Sequence, residues 1–136
     1  MKKPIILALT VFFLLIAIIM ANGSSNNKTG ITSVSASEFS SEVQEEGAVI
    51  LDIRTLQEYN SGRIAGAVNI DYYRSDFKNQ LEKLDRNQAY KLYCNSGNRS
   101  SGALKIMQDL GFTNVVELNG GIQSWISAKL PACTNC

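Results

Sequence analysis

The sequence contains no histidine, and this absence excludes several common kinds of active site. Its 136 residues include 13 Lys and Arg and 12 Asp and Glu, but no His. Ser-His-Asp and Cys-His catalysis are therefore excluded, and so are zinc and haem sites that use an imidazole ligand. Any catalytic chemistry must use thiols, carboxylates, Arg, Lys, Tyr or backbone groups.

The sequence also has few cysteines, few prolines and a small net charge. Three cysteines cannot form a four-thiolate zinc site without an outside ligand. Only two prolines occur, Pro4 and Pro131, and both are expected to lie outside the folded body. The formal net charge is +1 and the basic residues are scattered, which argues against nucleic acid as a partner. We expect no metal ion and no organic cofactor.

A long apolar run occurs only at the start of the chain, over residues 5–21. Two lysines precede it and small polar residues follow it, an order typical of a secretory signal. Ala21-Asn22-Gly23 fits a cleavage site before Ser24, and an uncleaved membrane anchor is the alternative. Residues 1–23 are therefore interpreted as a signal peptide or an N-terminal membrane anchor. The chain is expected to be periplasmic or otherwise extracytoplasmic, with membrane contact only through residues 5–21.

The rest of the sequence divides into a linker, one domain and a short tail. Residues 24–30 are polar and show no periodicity, as in a flexible linker. Residues 31–131 alternate short apolar runs with amphipathic segments, and about 100 residues is a typical size for one domain. Residues 132–136 form a tail that contains a Cys-x-x-Cys pair.

Strand and helix signals alternate along the predicted domain. Capping boxes at residues 35–38 and 55–58 each predict the start of a helix, and the first helix is expected to end at Gly47. This alternation predicts an α/β fold with a mostly parallel central sheet flanked by helices on both faces. The expected strands are residues 48–51, 67–70, 90–93 and 115–116, and the other expected helices are residues 75–84, residues 100–110 and a short helix containing Trp125.

Cys94 directly follows an expected strand and begins a polar loop that leads into a helix. Functional crevices of parallel sheets lie beyond the carboxyl ends of their strands. Backbone N–H groups of such a loop favour an anion and lower the pKa of a thiol. Cys94 is therefore the candidate nucleophile, and a buried structural cysteine is the alternative. Within the loop, Gly97 allows the backbone to curl, Arg99 adds positive charge and Ser100 is the expected helix cap. The candidate substrate-binding residues are Asn95, Ser96, Gly97, Asn98, Arg99 and Ser100.

Four segments, in this order, resemble the motifs of one family. Residues 94–100 are similar to the Cys-x-x-Gly-x-Arg-[Ser/Thr] active-site loop of rhodanese domains. Residues 51–59 resemble the Asp-x-Arg-x-x-x-Glu-[Tyr/Phe] segment of that family, and residues 62–70 resemble its Gly-His-Ile-Pro-Gly-Ala-x-Asn-Ile segment. Residues 119–125 resemble its Gly-Gly-x-x-x-Trp motif. The resemblance covers residues 32–130, almost all of the chain after the N-terminal segment.

This resemblance implies a single-domain sulfurtransferase, and the N-terminal segment adds the expectation that it is exported. In that family the cysteine takes a sulfane sulfur, often from thiosulfate, and passes it on from a persulfide. For this chain it implies that Cys94 carries the sulfur, that the donor is a small sulfur-containing anion, and that the acceptor is cyanide or a thiol, including a protein thiol. A non-turnover sulfur- or redox-binding module with the same loop is the alternative. Cysteine phosphatases are disfavoured, because their loop has five residues between Cys and Arg and this loop has four.

The sequence departs from the family pattern at three points. Arg63 stands where the family has His, and Ala65 stands where it has Pro; both are expected to support the fold. The loop also has no second basic residue between Cys94 and Arg99. Thiosulfate carries two negative charges, so its binding is expected to be weak.

Two further pairs are candidates for supporting roles. Asp52 and Arg54 follow the strand at residues 48–51, where a structural ion pair is the alternative to a catalytic role. Cys133 and Cys136 could form a closed disulfide, belong to a frayed tail, relay electrons or accept sulfur from Cys94.

Overall fold

The computed structural model of the protein describes residues 30–136. The predicted signal or anchor, and the linker except for Gly30, lie outside the described residues. Within this part of the chain, no helix is long and apolar enough to cross a membrane.

Five strands and five helices alternate along the described residues. In chain order they are β1 (Gly30–Val34), α1 (Ala36–Glu42), β2 (Val49–Asp52), α2 (Leu56–Ser61), β3 (Val68–Asn69), α3 (Phe77–Glu82), β4 (Tyr90–Tyr93), α4 (Asn98–Asp109), β5 (Asn114–Leu118) and α5 (Gly121–Ser127).

The strands form one sheet in the order β1-β5-β4-β2-β3, and every neighbouring pair is parallel. The register places Leu51 of β2 beside Leu92 of β4. Because all strands point the same way, the loops after β2, β4 and β5 lie at one edge of the sheet. The predicted α/β class with a parallel sheet is confirmed.

Helices cover the sheet on both faces, as predicted. Alternate residues of a strand point to opposite faces, so each strand contributes to two cores. Leu92 and Val115 pack with α3 and α4, whereas Tyr93 and Val116 pack with α1 and α5. Burial on both faces explains the continuous apolar run Val49-Ile50-Leu51 in β2.

Both predicted capping boxes are present, but the first helix is shorter than expected. The side chains of Ser35 and Glu38 satisfy each other's backbone N–H groups, as do those of Thr55 and Glu58. Helix α1 ends at Glu42 and not at Gly47.

A buried lysine accompanies this early helix end. Lys91 of β4 is 1% exposed, and its Nζ donates to the carboxylates of Glu42 and Glu45 at 2.6 Å each. After Glu42 the backbone forms turns, in which the N–H of Gln44 donates to the carbonyl of Ser41 and the N–H of Glu45 donates to the carbonyl of Glu42. These turns bring both carboxylates to the buried cation, which must be paired inside the protein.

The C-terminal tail folds back onto the domain. Arg63 and Cys133 form an antiparallel bridge, with N–H···O distances of 2.9 Å in both directions. The indole N–H of Trp125 donates to the carbonyl of Pro131 at 2.9 Å. The expectation that Pro131 lies outside the folded body is therefore wrong, because its carbonyl satisfies a largely buried indole donor.

Candidate active site

Cys94 lies immediately beyond β4, between the ends of its neighbouring strands β2 and β5. Its residue surface is 1% exposed. The carbonyls of Cys94 and Asn95 accept hydrogen bonds from the N–H groups of Ile122 and Gln123 at 2.9 and 3.1 Å. The first turn of α5 therefore fixes the start of the loop that carries the thiol.

Gly97 and Ser100 surround the sulfur with hydrogen-bonding groups. The Gly97 N–H donates to Cys94 Sγ at 3.0 Å, and the Ser100 hydroxyl lies 3.4 Å from the same sulfur. Burial by itself raises the pKa of the Cys94 thiol. Hydrogen bonds from the Ser100 hydroxyl and from the backbone of Ser100, Gly97 and Ser96 outweigh this effect and lower the pKa below its ordinary value. The loop therefore favours a thiolate without histidine.

Helix α4 begins earlier than predicted, and Ser100 is not its cap. Gly97 is the N-cap, with a left-handed φ of 101°, and Asn98 is the first helical residue. This conformation is accessible to glycine at little cost and turns the Gly97 N–H toward the sulfur. Ser100 lies inside the first turn, where its hydroxyl reaches inward to the thiol. The side chains of Ser96 and Asn98 are exposed.

Glu117 of β5 lies beneath the loop and holds the Ser100 hydroxyl. This carboxylate is 4% exposed, and its Oε1 lies 2.5 Å from the Ser100 hydroxyl oxygen, whose single proton can be donated to this carboxylate or to the Cys94 sulfur, but not to both at once. The other carboxylate oxygen accepts a hydrogen bond from the hydroxyl of Ser33 in β1. The sequence places Glu117 at a strand end but gives it no role. A single charged residue in a strand whose five residues are all buried is the signal that points to it.

Arg99 forms a two-pronged ion pair with Glu58. Its two terminal nitrogens donate to the two carboxylate oxygens at 2.8 and 2.7 Å, and its guanidinium lies over the Tyr73 ring. The hydrogen bond from Arg99 lowers the pKa of Glu58 to about 2, against the opposing effect of burial. Glu58 also completes the capping box of α2. Arg99 therefore ties the loop to α2.

This ion pair predicts a specific pH dependence of stability. Glu58→Gln keeps a capping-box side chain but removes the charge. Because the folded pKa of Glu58 is depressed, the pair stabilises the protein fully above the unfolded pKa of about 4.3. This stabilisation is lost as the pH falls toward about 2. The difference in melting temperature between wild type and Glu58→Gln should therefore shrink between these two pH values.

Thermal unfolding followed by circular dichroism from pH 7 to pH 2 measures this difference. Introducing Glu58→Gln into an Arg99→Met background is the control, because without the partner the pH-dependent difference should become much smaller and only the part due to the Thr55 hydrogen bonds should remain. A difference that stays constant down to pH 2 would contradict the assigned ion pair.

Asp52 and Arg54 form a buried structural ion pair. Arg54 Nη2 lies 2.6 Å from Asp52 Oδ2, and the two residues are 0% and 4% exposed. Arg54 also donates to the carbonyl of Gly62 at 2.6 Å and lies over the Tyr93 ring. The pair thus joins the end of β2 to the segment after α2, as the structural alternative expects.

A cavity of about 330 Å³ lies beside the Cys94 loop. Its wall includes Arg54 and Gly62 on one side, Asn95 of the loop, and Ile122 of α5. The tail completes the wall through residues 132–134. One concave space therefore joins the candidate active-site loop to the C-terminal tail.

The two tail cysteines are paired with each other. Cys133 and Cys136 form a disulfide, and Cys94 is a free thiol. Of the alternatives for the tail, the closed disulfide is observed and the frayed tail is not. Nothing in this arrangement assigns the tail a redox role by itself.

Comparison with known proteins agrees with the motif resemblance. The family model of the rhodanese-like domain matches residues 35–128. Thiosulfate sulfurtransferase GlpE from Pseudomonas entomophila (strain L48) is 35% identical over 86 residues, which cover 62% of this chain and 76% of that protein. "Putative sulfur carrier protein YrkF" from Bacillus subtilis (strain 168) is 31% identical over 103 residues, covering 75% of this chain and 55% of that protein.

A solved structure shares the fold. The crystal structure of a rhodanese-related protein from Thermoplasma volcanium is 32% identical in sequence and matches with a TM-score of 0.68. The match covers 76% of this chain and 99% of that chain. The predicted fold is thereby confirmed.

Proposed function

The chain belongs to the rhodanese-like domain family, and from this premise we propose that it moves a sulfane sulfur from a thiosulfate-type donor to a thiophilic acceptor through a persulfide on Cys94. The sulfurtransferase relatives support sulfur transfer as the general activity. The specific donor, the acceptor and the persulfide are the proposal.

The hydrogen bond that the Cys94 sulfur accepts from the loop backbone is the main support for this proposal. A thiolate held by loop N–H groups can attack the outer sulfur of thiosulfate. The S–S bond of thiosulfate then breaks, sulfite leaves with the bonding pair, and Cys94 holds a persulfide. A thiolate or cyanide removes the outer sulfur and regenerates the Cys94 thiolate.

The charges around the loop limit the choice of donor. Arg99 is bound by Glu58 through both terminal nitrogens, and Arg54 is paired with Asp52. The negative charge of a bound donor is therefore met mainly by backbone N–H groups of the loop. Backbone donors suit a persulfide with one charge better than they suit thiosulfate with two, so we expect weak thiosulfate binding.

Turnover with cyanide separates an enzyme from a non-turnover sulfur-binding module. We expect thiocyanate to form with multiple turnovers and with a thiosulfate KM above about 1 mM, the upper end of common values. An uncharged sulfane donor such as elemental sulfur or an organic trisulfide should show saturation at lower concentration. Only one equivalent of thiocyanate per chain with every donor would contradict the enzymatic proposal and favour the module.

We also propose that the protein is exported through its N-terminal segment. Two lysines followed by the apolar run at residues 5–21 support this, and the Cys133–Cys136 disulfide suits an oxidising compartment. Cell fractionation with N-terminal sequencing should find the protein outside the cytoplasm, beginning near Ser24 if the signal is cleaved. Full-length protein confined to the cytoplasm would contradict export.

A further inference from the structure

Arg63 holds the C-terminal disulfide against the domain through both its backbone and its side chain. Besides the backbone bridge to Cys133, the Arg63 guanidinium donates to the main-chain oxygens of Thr134 at 3.0 Å and Cys136 at 2.7 Å. The same guanidinium lies 4.4 Å from the centre of the Tyr59 ring. Arg63 therefore binds both ends of the segment that carries the disulfide.

This docking places the tail at the wall of the cavity beside the Cys94 loop. Cys133 and Thr134 line that cavity together with Asn95, the residue that follows Cys94. Gly62, which precedes Arg63, lines it as well and is fixed by Arg54 through a 2.6 Å hydrogen bond. The tail and the loop thus share one space large enough for a small reacting group.

A stabilising role explains this disulfide poorly. The two cysteines are separated by only three positions in the sequence. A cross-link that closes so short a loop removes little conformational freedom from the unfolded chain, so its effect on stability is small. Two cysteines with little structural value, in a segment that lines the same cavity as Asn95 of the Cys94 loop, fit a chemical role better.

We propose that the reduced Cys133/Cys136 pair is a second catalytic site, a dithiol that takes the sulfane sulfur from Cys94 and releases it as sulfide. The inference rests on the proposed function, because it needs a persulfide on Cys94. The disulfide in the structure is then the oxidised product of this step. An external dithiol reductant returns the pair to the reduced form between turnovers.

For one turnover, the two tail thiols supply both electrons that reduce the sulfane sulfur. A thiolate of the tail attacks the outer sulfur of the Cys94 persulfide, the S–S bond breaks, and Cys94 leaves as a thiolate. The second tail thiolate then attacks the cysteine sulfur of the new persulfide, the Cys133–Cys136 bond forms, and hydrosulfide leaves. The two tail thiols are oxidised to a disulfide, and the sulfane sulfur is reduced to sulfide.

A single-turnover experiment tests this proposal. The protein is fully reduced, freed of reductant without air, and mixed with thiosulfate; sulfide is then measured and the intact mass recorded. Reduced wild type should release one sulfide per chain and lose about 2 Da, the two hydrogens of disulfide formation. The Cys133→Ser/Cys136→Ser variant should instead gain about 32 Da, one sulfur, and release no sulfide. Wild type with the disulfide already closed should behave like this variant.

The outcomes separate this inference from the proposed function. If reduced wild type also gains and keeps one sulfur without releasing sulfide, the inference is wrong and the Cys94 persulfide stands. If no form gains sulfur or releases sulfide, the proposed function is wrong and the inference fails with it. Sulfide release whose rate constant rises with protein concentration would contradict transfer within one chain.

Arg63 provides a test of docking that does not touch the cysteines. Arg63→Met removes the guanidinium contacts to Thr134 and Cys136 but keeps a long side chain over Tyr59. Sulfide release should slow by about tenfold, because the tail thiols lose local concentration at the loop. When the tail disulfide is closed, Cys94 of this variant should gain sulfur from thiosulfate at the wild-type rate. An unchanged sulfide release rate would contradict the docking role.

Discussion

Cys94→Ser is expected to lower sulfur transfer to cyanide by about a thousandfold or more, because it removes the nucleophile on which the proposed persulfide forms. A serine hydroxyl keeps nearly the size of the thiol and can accept the Gly97 hydrogen bond that Sγ accepts at 3.0 Å. It does not ionise near neutral pH and cannot form a stable persulfide. Steady-state thiocyanate formation measures the loss.

The same variant should remain folded. Cys94 is buried in the core shared with α3 and α4, and replacement of sulfur by a hydroxyl leaves only a small change in volume. Its melting temperature should stay within a few degrees of wild type, corresponding to roughly 1 kcal/mol. More than a tenth of the wild-type activity in a folded Cys94→Ser protein would contradict the assignment of Cys94.

Gly121→Ala is expected to displace the Cys94 loop and to lower both stability and activity. A Cβ on Gly121 would lie 2.5 Å from the carbonyl carbon and oxygen of Asn95 and 2.5 Å from the carbonyl oxygen of Cys94. These are backbone atoms, so they cannot move aside without moving the loop. Gly121 also has a φ of +61°, which adds a conformational cost for alanine. Overpacking and strain together should lower the unfolding free energy by about 2–4 kcal/mol.

Gly47→Ala is the matched control for this effect. Gly47 has a φ of +80°, but a Cβ there meets no atom within 4 Å and the residue lies far along the chain from the loop. Its unfolding free energy should fall by only about 1 kcal/mol, the conformational cost of alanine at a positive φ. Its rate of sulfur transfer should not change. Denaturant unfolding and thiocyanate formation are measured on both variants. Equal effects on stability and activity would show that the contact between α5 and the loop does not position Cys94.

Local chemistry made much of this fold predictable from sequence. Capping boxes and the strand that leads into Cys94 depend on neighbouring residues, and both predictions are confirmed, the boxes at residues 35–38 and 55–58 and the strand at residues 90–93. The end of α1 was not predictable in this way. It coincides with pairing of Glu42 and Glu45 to the buried Lys91, a contact across nearly fifty residues that no local pattern reveals.

In the candidate site, too, local sequence predicts some features, whereas contacts between distant segments could not be predicted. The nucleophile and its glycine follow from a strand, a polar loop and a helix start in sequence. The Arg99–Glu58 pair spans 41 positions, and the Arg63 contacts to the tail span 71 and 73 positions. Such pairings depend on the order of strands in the sheet, which brings α2, the loop and the tail to one edge. The cap was misassigned because Ser100 has a side chain typical of a cap, whereas Gly97 caps through its backbone conformation.

Intact mass after exposure to thiosulfate detects the proposed Cys94 persulfide itself. The protein is used with its Cys133–Cys136 disulfide closed and with no reductant present, so that the tail cannot accept sulfur. We expect a gain of about 32 Da that maps to Cys94, disappears on addition of cyanide and is absent from Cys94→Ser. A gain that persists in Cys94→Ser, or no gain with thiosulfate and with an uncharged sulfane donor alike, would contradict it.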